Sequence, residues 1–478
     1  MTFISPEFVI FFSVVIPLFF WTRHRFRWLL LLVMSYVFYA FGTVQYLPLI
    51  AISTLIDYVA ALMIPRRESP AWRKGWLAMS VVANLGILFT FKYFNFFNES
   101  MASAVGYTPL TLDVVLPIGI SFYTFQSMSY TIDVYQGRIQ PEKHLGVVAT
   151  YVAFFPQLVA GPIERATNLI PQFRARHQFD EARAVSGLQL ILWGFFKKVV
   201  IADRLAIYVN AVYNDVGAHT GETLLLATFF FSFQVYCDFS AYSDIAIGTA
   251  RIMGFDLMNN FRQPYFARSV GEFWSRWHIS LSTWFRDYIY IPLGGSRVSI
   301  VRHMTNLMIV FFVTGIWHGA GWTFIVWGLL HGVAVSAQAL TRRMGWKVFP
   351  DGGGWQWDGV KMLLTFCFVA FTRVFFRANS MDDAFYIVEH MFVFDPSVDV
   401  TAMFAEGLLG AQVEFALALS LIAGLIIVDA FAERSPLPVL MGRLPALVRW
   451  PVYYLLGAAV VFSGLYGTGA QQFIYFQF

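Results

Sequence analysis

An all-α integral membrane protein, built as a multi-span helical bundle, is the architecture this chain of 478 residues encodes, on three grounds. Apolar residues make up 58% and charged residues only 13%, about half the charged fraction of an ordinary soluble domain. A compact soluble shape with that composition would leave large apolar patches in water, so bilayer is the solvent for much of the chain. Apolar runs long enough for a membrane helix of about 20 residues recur from end to end, and the basic residues gather in short loops between them.

In order, the runs fall near 7–22, 28–47, 49–64, 76–97, 114–135, 145–160, 186–212, 222–250, 305–318, 321–340, 360–376, 411–431 and 449–467. Several are short or broken by Gly and Pro. Ten to thirteen membrane segments are therefore expected, a few of them re-entrant or tilted, because irregular backbone is tolerated at depth only inside protein or along a cavity. Met1 to Glu7 carries no Lys or Arg, and no small-residue cleavage site follows, so the first run is expected to be a retained helix rather than a signal peptide. Arg23, Arg25 and Arg27 follow the first run and Arg66, Arg67, Arg73 and Lys74 the third, whereas 98–113 has no basic residue. The positive-inside tendency then places the amino terminus outside and those two loops in the cytoplasm. The stretch 341–359, with Gly352, Gly353 and Gly354, is expected to be a loop. No internal repeat or dividing linker is evident, and 1–478 is taken as a single polytopic membrane domain.

The net charge of +4 suits basic cytoplasmic loops and excludes a nucleic-acid surface, which needs clustered charge on a soluble module. Cys237 and Cys367 lie in apolar runs, where core packing is favoured over a redox pair. The sequence has no Walker loop, no GxGxxG after a strand, no HExxH, no GxSxG elbow and no CxxC, so nucleotide-fold and serine-triad chemistry are excluded.

From Gly271 to Ile291 the chain reads GEFWSRWHISLSTWFRDYIYI, with Phe273, Trp277, Leu281, Trp284 and Tyr288 three or four apart. An amphipathic helix at the membrane interface or against the bundle is expected over 271–291.

Ionisable groups inside apolar runs carry the functional signal, because each is costly at depth unless it faces protein or a cavity. His318 sits in GIWHGAGWTFIVWGLLHG beside Trp317 and Gly319, with His331 thirteen residues on, and Gly319 and Gly321 are expected to interrupt the helix. A neutral imidazole can take a proton from a hydroxyl near pH 7, as acyl transfer to a weak nucleophile requires. A hydrogen-bonded packing role remains open for both. A metal site is disfavoured, since no carboxylate or Cys recurs at ligand spacing. His278 follows Arg276 and Trp277 on the amphipathic segment, with a mostly apolar helical neighbourhood. Asp238 and Asp244, in QVYCDFSAYSDIAIG, either orient a His or bind a polar substrate, or pair with an Arg to hold helices in register. Lys197 and Lys198 either meet an anionic donor or snorkel to the headgroups.

The motifs PIGISFYTFQSMSYTIDVYQG (117–137), FFPQLVAGPIER (154–165), QVYCDFSAYSDIAIG (234–248), NNFRQPY (259–265), EFWSRWHISLSTWFRDYIYIPLGG (272–295) and GIWHGAGWTFIVWGLLHG (315–332) resemble the membrane-bound O-acyltransferase family. Within it they are most similar to the bacterial branch that includes alginate O-acetylation and teichoic acid D-alanylation. The matching blocks run from about 117 to 332. The resemblance implies helices around a funnel and a transmembrane tunnel, with the active-site His of the WHG motif at His318 and a second tunnel His at His278. Asp238, Asp244, Trp317 and His331 would support the site, and His331 has no chemical role assigned.

The expected activity is an acetyl transferase of the bacterial inner membrane, with His318 as general base aided by His278. It would take acetyl from a cytoplasmic donor, acetyl-CoA, without a bound cofactor or metal, and pass it outward for O-acetylation of an exported polysaccharide. Alginate, cellulose, another exopolysaccharide, peptidoglycan and D-alanyl transfer all remain open as acceptor chemistry. A transporter or proton-coupled channel using intramembrane His and Asp is the competing class, and the absence of a sequence repeat argues against it. The longest weakly apolar stretches, 162–185, 341–359 and 393–410, are too short to bury a core, so a periplasmic acetyltransferase partner and the export machinery are expected alongside the bilayer.

Overall fold

The computed structural model describes residues 1–41, 44–346, 354–405, 407, 409–466 and 471–474. Every regular element among them is helical. The residues group into two compact units, Met1–Ile191 with Tyr242–Asn259, and Leu192–Ala241 with Asn260–Phe478.

The first unit begins with α1 (Pro6–Trp21), whose Ser5 cap accepts from the Phe8 N–H and whose first position is Pro. It continues through α2 (Arg27–Ala40), α3 (Leu47–Met63) and α4 (Pro70–Leu88), which runs on through a π turn, Phe89–Tyr93, into α5 (Phe94–Val105). Then come α6 (Ile120–Tyr135), α7 (Leu145–Ala153), α8 (Ala166–Arg174) and most of α9 (Glu181–Phe195). Its polar knot is Asp57 of α3, fully buried, which accepts hydrogen bonds from Ser80, Asn84 and Ser127 while Ser53 donates to Asn84. A carboxylate at that depth is tolerable because α4 and α6 supply donors to both of its oxygens.

The second unit holds the end of α9, a π turn Phe196–Ala202, α10 (Asp203–Tyr213) and α11 (Gly221–Met253), whose residues from Tyr242 belong to the first unit. It continues with α12 (Val270–Arg276), α13 (Ile279–Phe285), α14 (Ile300–His318), α15 (Trp322–Arg343), α16 (Gly354–Arg377), α17 (Met381–His390), α18 (Ala411–Ala432), α19 (Leu437–Arg443) and α20 (Ala446–Ala458). The loop expected at 341–359 lies outside the described residues over 347–353; Gly354 already opens α16.

Nine helices among the described residues are long and apolar enough to cross a membrane, with Pro6–Trp21 as a shorter apolar helix. The expected ten to thirteen segments include re-entrant and tilted ones, which this count leaves out. The runs at 28–47, 114–135 and 145–160 fold into helices of 14, 16 and 9 residues. At about 1.5 Å per residue, even the longest reaches only ~24 Å, short of a hydrocarbon core of about 30 Å. The 114–135 run is cut by Gly119, whose φ of +76° no L residue adopts easily and whose missing Cβ would meet the Leu158 carbonyl.

Two expectations change here. Lys197 and Lys198 do not snorkel to the headgroups: both are buried, Lys197 donates to Ser240, and Lys198 sits 2.8 Å from Asp203 and 2.6 Å from Asp238. Two carboxylates offset the cost of burying that ammonium. Cys237 packs in the core as expected, but Cys367 is exposed on α16.

Candidate active site

The segment 271–291 is not the single helix its periodicity suggests. It breaks at Trp277–His278 into α12 and α13, followed by a π turn, Arg286–Tyr290. His278 caps α13 with φ +43°, a left-handed conformation that costs a non-glycine residue roughly 1–2 kcal/mol. The strap 259–265 holds the break from both sides. Arg262 N–H donates to the Arg276 carbonyl, and Ile279 N–H to the Asn260 carbonyl, each at 2.9 Å. The expected apolar face survives the break, with Phe273, Trp277, Leu281 and Trp284 all buried. Backbone strain sustained by its surroundings is characteristic of functional sites.

His318 is the last residue of α14. Gly319 and Gly321 are extended, and α15 starts at Trp322, so the helix interruption expected there is present. The two helices pack backbone to backbone. A Cβ on Gly315 would lie 2.5 Å from the Phe324 carbonyl, and one on Gly328 would lie 2.4 Å from the Phe311 carbonyl. This close crossing fixes the His318 ring, which touches Trp317, Trp327 and Phe376 at centroid distances of 5.0, 4.8 and 5.5 Å. The His318 Nδ1 lies 2.8 Å from the Thr314 carbonyl oxygen. A carbonyl only accepts, so Nδ1 carries the proton and Nε2 of the neutral ring holds the lone pair.

His278 is fully buried and packs edge-on to Phe239 at 4.6 Å, with Trp317 at 5.7 Å and the His318 ring at 6.5 Å. The structure thus brings the two sequence-predicted histidines together across Trp317. His331 is wired differently. Its Nδ1 accepts from Trp274 Nε1–H at 3.2 Å, so its proton is on Nε2, which donates to Thr372 Oγ1 at 3.0 Å; that hydroxyl donates in turn to the Val369 carbonyl.

A narrow cavity, about 20 Å³ open to water centres and so enough for one or two waters, is lined by His318, His331, Arg373, Trp277, Trp327 and apolar neighbours. Arg373 is not among the sequence candidates because it stands inside the apolar run 360–376; the lone cation in FCFVAFTRVFF is the signal that marks it. Asp238 lies in the same unit, but its carboxylate is occupied by Lys198 on one oxygen and the Ile474 N–H on the other. Asp244 falls in the first unit and is half-buried. Among the described residues no three His, Cys, Asp or Glu side chains converge as a metal site would require.

Residues 144–378 match the model of the membrane-bound O-acyltransferase family. The chain is 41% identical over 403 residues to the probable alginate O-acetylase AlgI of Pseudomonas putida, covering 82% of this chain and 81% of that protein. It belongs to the membrane-bound O-acyltransferase family. It is also 37% identical over 394 residues to the peptidoglycan O-acetyltransferase of Helicobacter pylori, covering 76% and 73% of the two chains. A more distant relative is the teichoic acid D-alanyltransferase of Bacillus subtilis, 26% identical over 266 residues, or 53% and 67%. The protein is therefore a multi-pass membrane acyltransferase. The family match contains the broken helix, the α14–α15 crossing and every residue named above as lining the cavity.

Proposed function

We propose that this acyltransferase moves an acetyl group from a cytoplasmic thioester, acetyl-CoA, to the outer side of a bacterial inner membrane for O-acetylation of an exported, alginate-like polysaccharide. The observation that carries the chemistry is the hydrogen bond from His318 Nδ1 to the Thr314 carbonyl, which leaves a buried Nε2 lone pair beside the cavity. That nitrogen takes the proton of the acceptor hydroxyl as its oxygen attacks the thioester carbonyl carbon. The carbonyl π pair moves onto oxygen, then returns as the C–S bond breaks, and the departing thiolate takes the proton back from the imidazolium. The carbonyl end of α14 favours the positive charge His318 carries in between.

His278, a ring away, orients the acceptor or a water toward His318. Trp317, Trp327 and Phe376 keep bulk water from the acyl group. His331, with both nitrogens engaged by Trp274 and Thr372, holds the cavity wall, and Asp238 acts at a remove by locking Lys198. The names of the O-acetylating relatives favour a polysaccharide acceptor. A periplasmic acetyltransferase collects the acetyl group on the outer face, working with the export machinery, because no GxSxG elbow in this sequence could hold an acetyl ester outside the bilayer.

The test is reconstitution in liposomes with labelled acetyl-CoA inside. Wild type is expected to deliver label outward, and His318→Ala to accumulate normally yet deliver none. A His318→Ala protein with full activity would show that the general base has been misassigned. Efficient polymer acetylation without any periplasmic component would remove the relay.

A further inference from the structure

Resting on that acetyl-transfer reading, we infer that Arg373 is a second catalytic residue, the cation that faces the negative charge developing on the acetyl carbonyl oxygen. The argument begins with the cavity wall. Of its polar side chains, His331 has both ring nitrogens committed, to Trp274 and Thr372. His318 offers a base, which handles the proton but not the oxyanion. Arg373 supplies the opposite charge on the same wall.

Its placement is fixed rather than adaptable. Nη1 donates to the Ser232 carbonyl and to the Tyr265 hydroxyl, each at 2.7 Å, and the Tyr265 hydroxyl donates to the same carbonyl. The guanidinium lies over the Trp277 ring at 4.6 Å and near the Tyr265 ring at 5.5 Å. Trp277 precedes His278 at the helix break, so the cation is anchored to the segment that carries the second histidine. The next residue up α16, Thr372, is the one that accepts from His331. Adjacent positions of one helix thus set the wall and the charge of one cavity.

Attack by the hydroxyl oxygen forms a C–O bond and places a full charge on the former carbonyl oxygen while His318 holds the proton. Collapse restores the carbonyl and breaks the C–S bond. Arg373 exchanges no electrons or protons in either step; it stabilises the charge that exists only between them. A fixed cation in a small, aromatic-walled cavity does so without reorganising and with less dielectric screening than in water.

The experiment uses the full-length protein in the same liposomes, with acetyl-CoA inside and a mannuronate oligomer plus the periplasmic fraction outside, following release of the CoA thiol. For Arg373→Met, kcat is expected to fall by about 10²–10³-fold, the loss typical of one oxyanion donor, with KM for acetyl-CoA changing little. Arg373→Lys should fall in between, and added guanidinium should recover part of the turnover of Arg373→Ala. An unchanged kcat, or a change confined to KM, overturns the assignment. So does failure of all three variants to accumulate in the membrane, which would make Arg373 a packing residue. An inactive wild type, or an active His318→Ala control, would instead overturn the acetyl-transfer reading itself and this inference with it.

Discussion

His318 and His331 face one cavity with opposite wiring, and the difference lies in which ring nitrogen each neighbour claims. The His318 partner is the carbonyl four residues back in its own helix, a bond the sequence WHG at a helix end already permits. The partners of His331 are 57 and 41 residues away, so its locked state could not be read from the chain. Arg373 was equally out of sight, since its meaning depends on Ser232, Tyr265 and Trp277, brought together only by folding. The wiring makes a direct prediction. Thr372→Val keeps the shape of the side chain but leaves the His331 Nε2–H buried without its acceptor, at a cost of about 1–3 kcal/mol. The melting temperature of the purified protein should drop, while the initial rate per folded molecule stays near wild type. A large loss of rate at unchanged stability would move His331 from the wall into the chemistry.

Helices were the most legible part of this protein, and their breaks the least. The 3.6-residue spacing of Phe273, Trp277, Leu281 and Trp284 correctly marks a buried face, yet it carries no trace of the left-handed turn at His278. That turn is imposed by the strap at Asn260 and Arg262, a tertiary effect overriding periodicity. Because Asn tolerates the left-handed region and Val does not, two substitutions separate ring from backbone. His278→Asn should fold as wild type and turn over slowly, whereas His278→Val should lose a further ~1–2 kcal/mol of stability. Equal stability of the two by thermal unfolding would mean the strained geometry is not held in the native protein. The α14–α15 crossing makes a second prediction. Gly328→Ala forces a Cβ against the Phe311 carbonyl and should cost about 1–3 kcal/mol, with activity falling as His318 shifts. Gly424→Ala in α18, where nothing lies within 4 Å, is the matched control and should melt as wild type or slightly higher.

For the molecule as a whole, composition alone settles the membrane class, but hydropathy does not separate full crossings from shorter buried helices because it measures apolar length and not where backbone bends. Orientation rests on charge placement, and the helix that joins the two informative loops makes it testable. Pro70–Val105 is helical over 36 residues, about 54 Å at 1.5 Å per residue, well beyond a hydrocarbon core of ~30 Å. Ser69, the residue before it, and Ser103, near its far end, are both exposed, and a crossing by this helix puts them on opposite sides of the bilayer. Arg66, Arg67, Arg73 and Lys74 surround Ser69, while 98–113 has no basic residue, so the Ser69 end is expected in the cytoplasm. In a background with Cys237 and Cys367 replaced, Ser103→Cys should react with a membrane-impermeant thiol reagent added to intact cells lacking an outer-membrane barrier. Ser69→Cys should react only after the membrane is permeabilised. The reverse pattern would invert the protein, and with it the direction in which acetyl groups travel; labelling of both sites from outside would instead show that Pro70–Val105 does not cross.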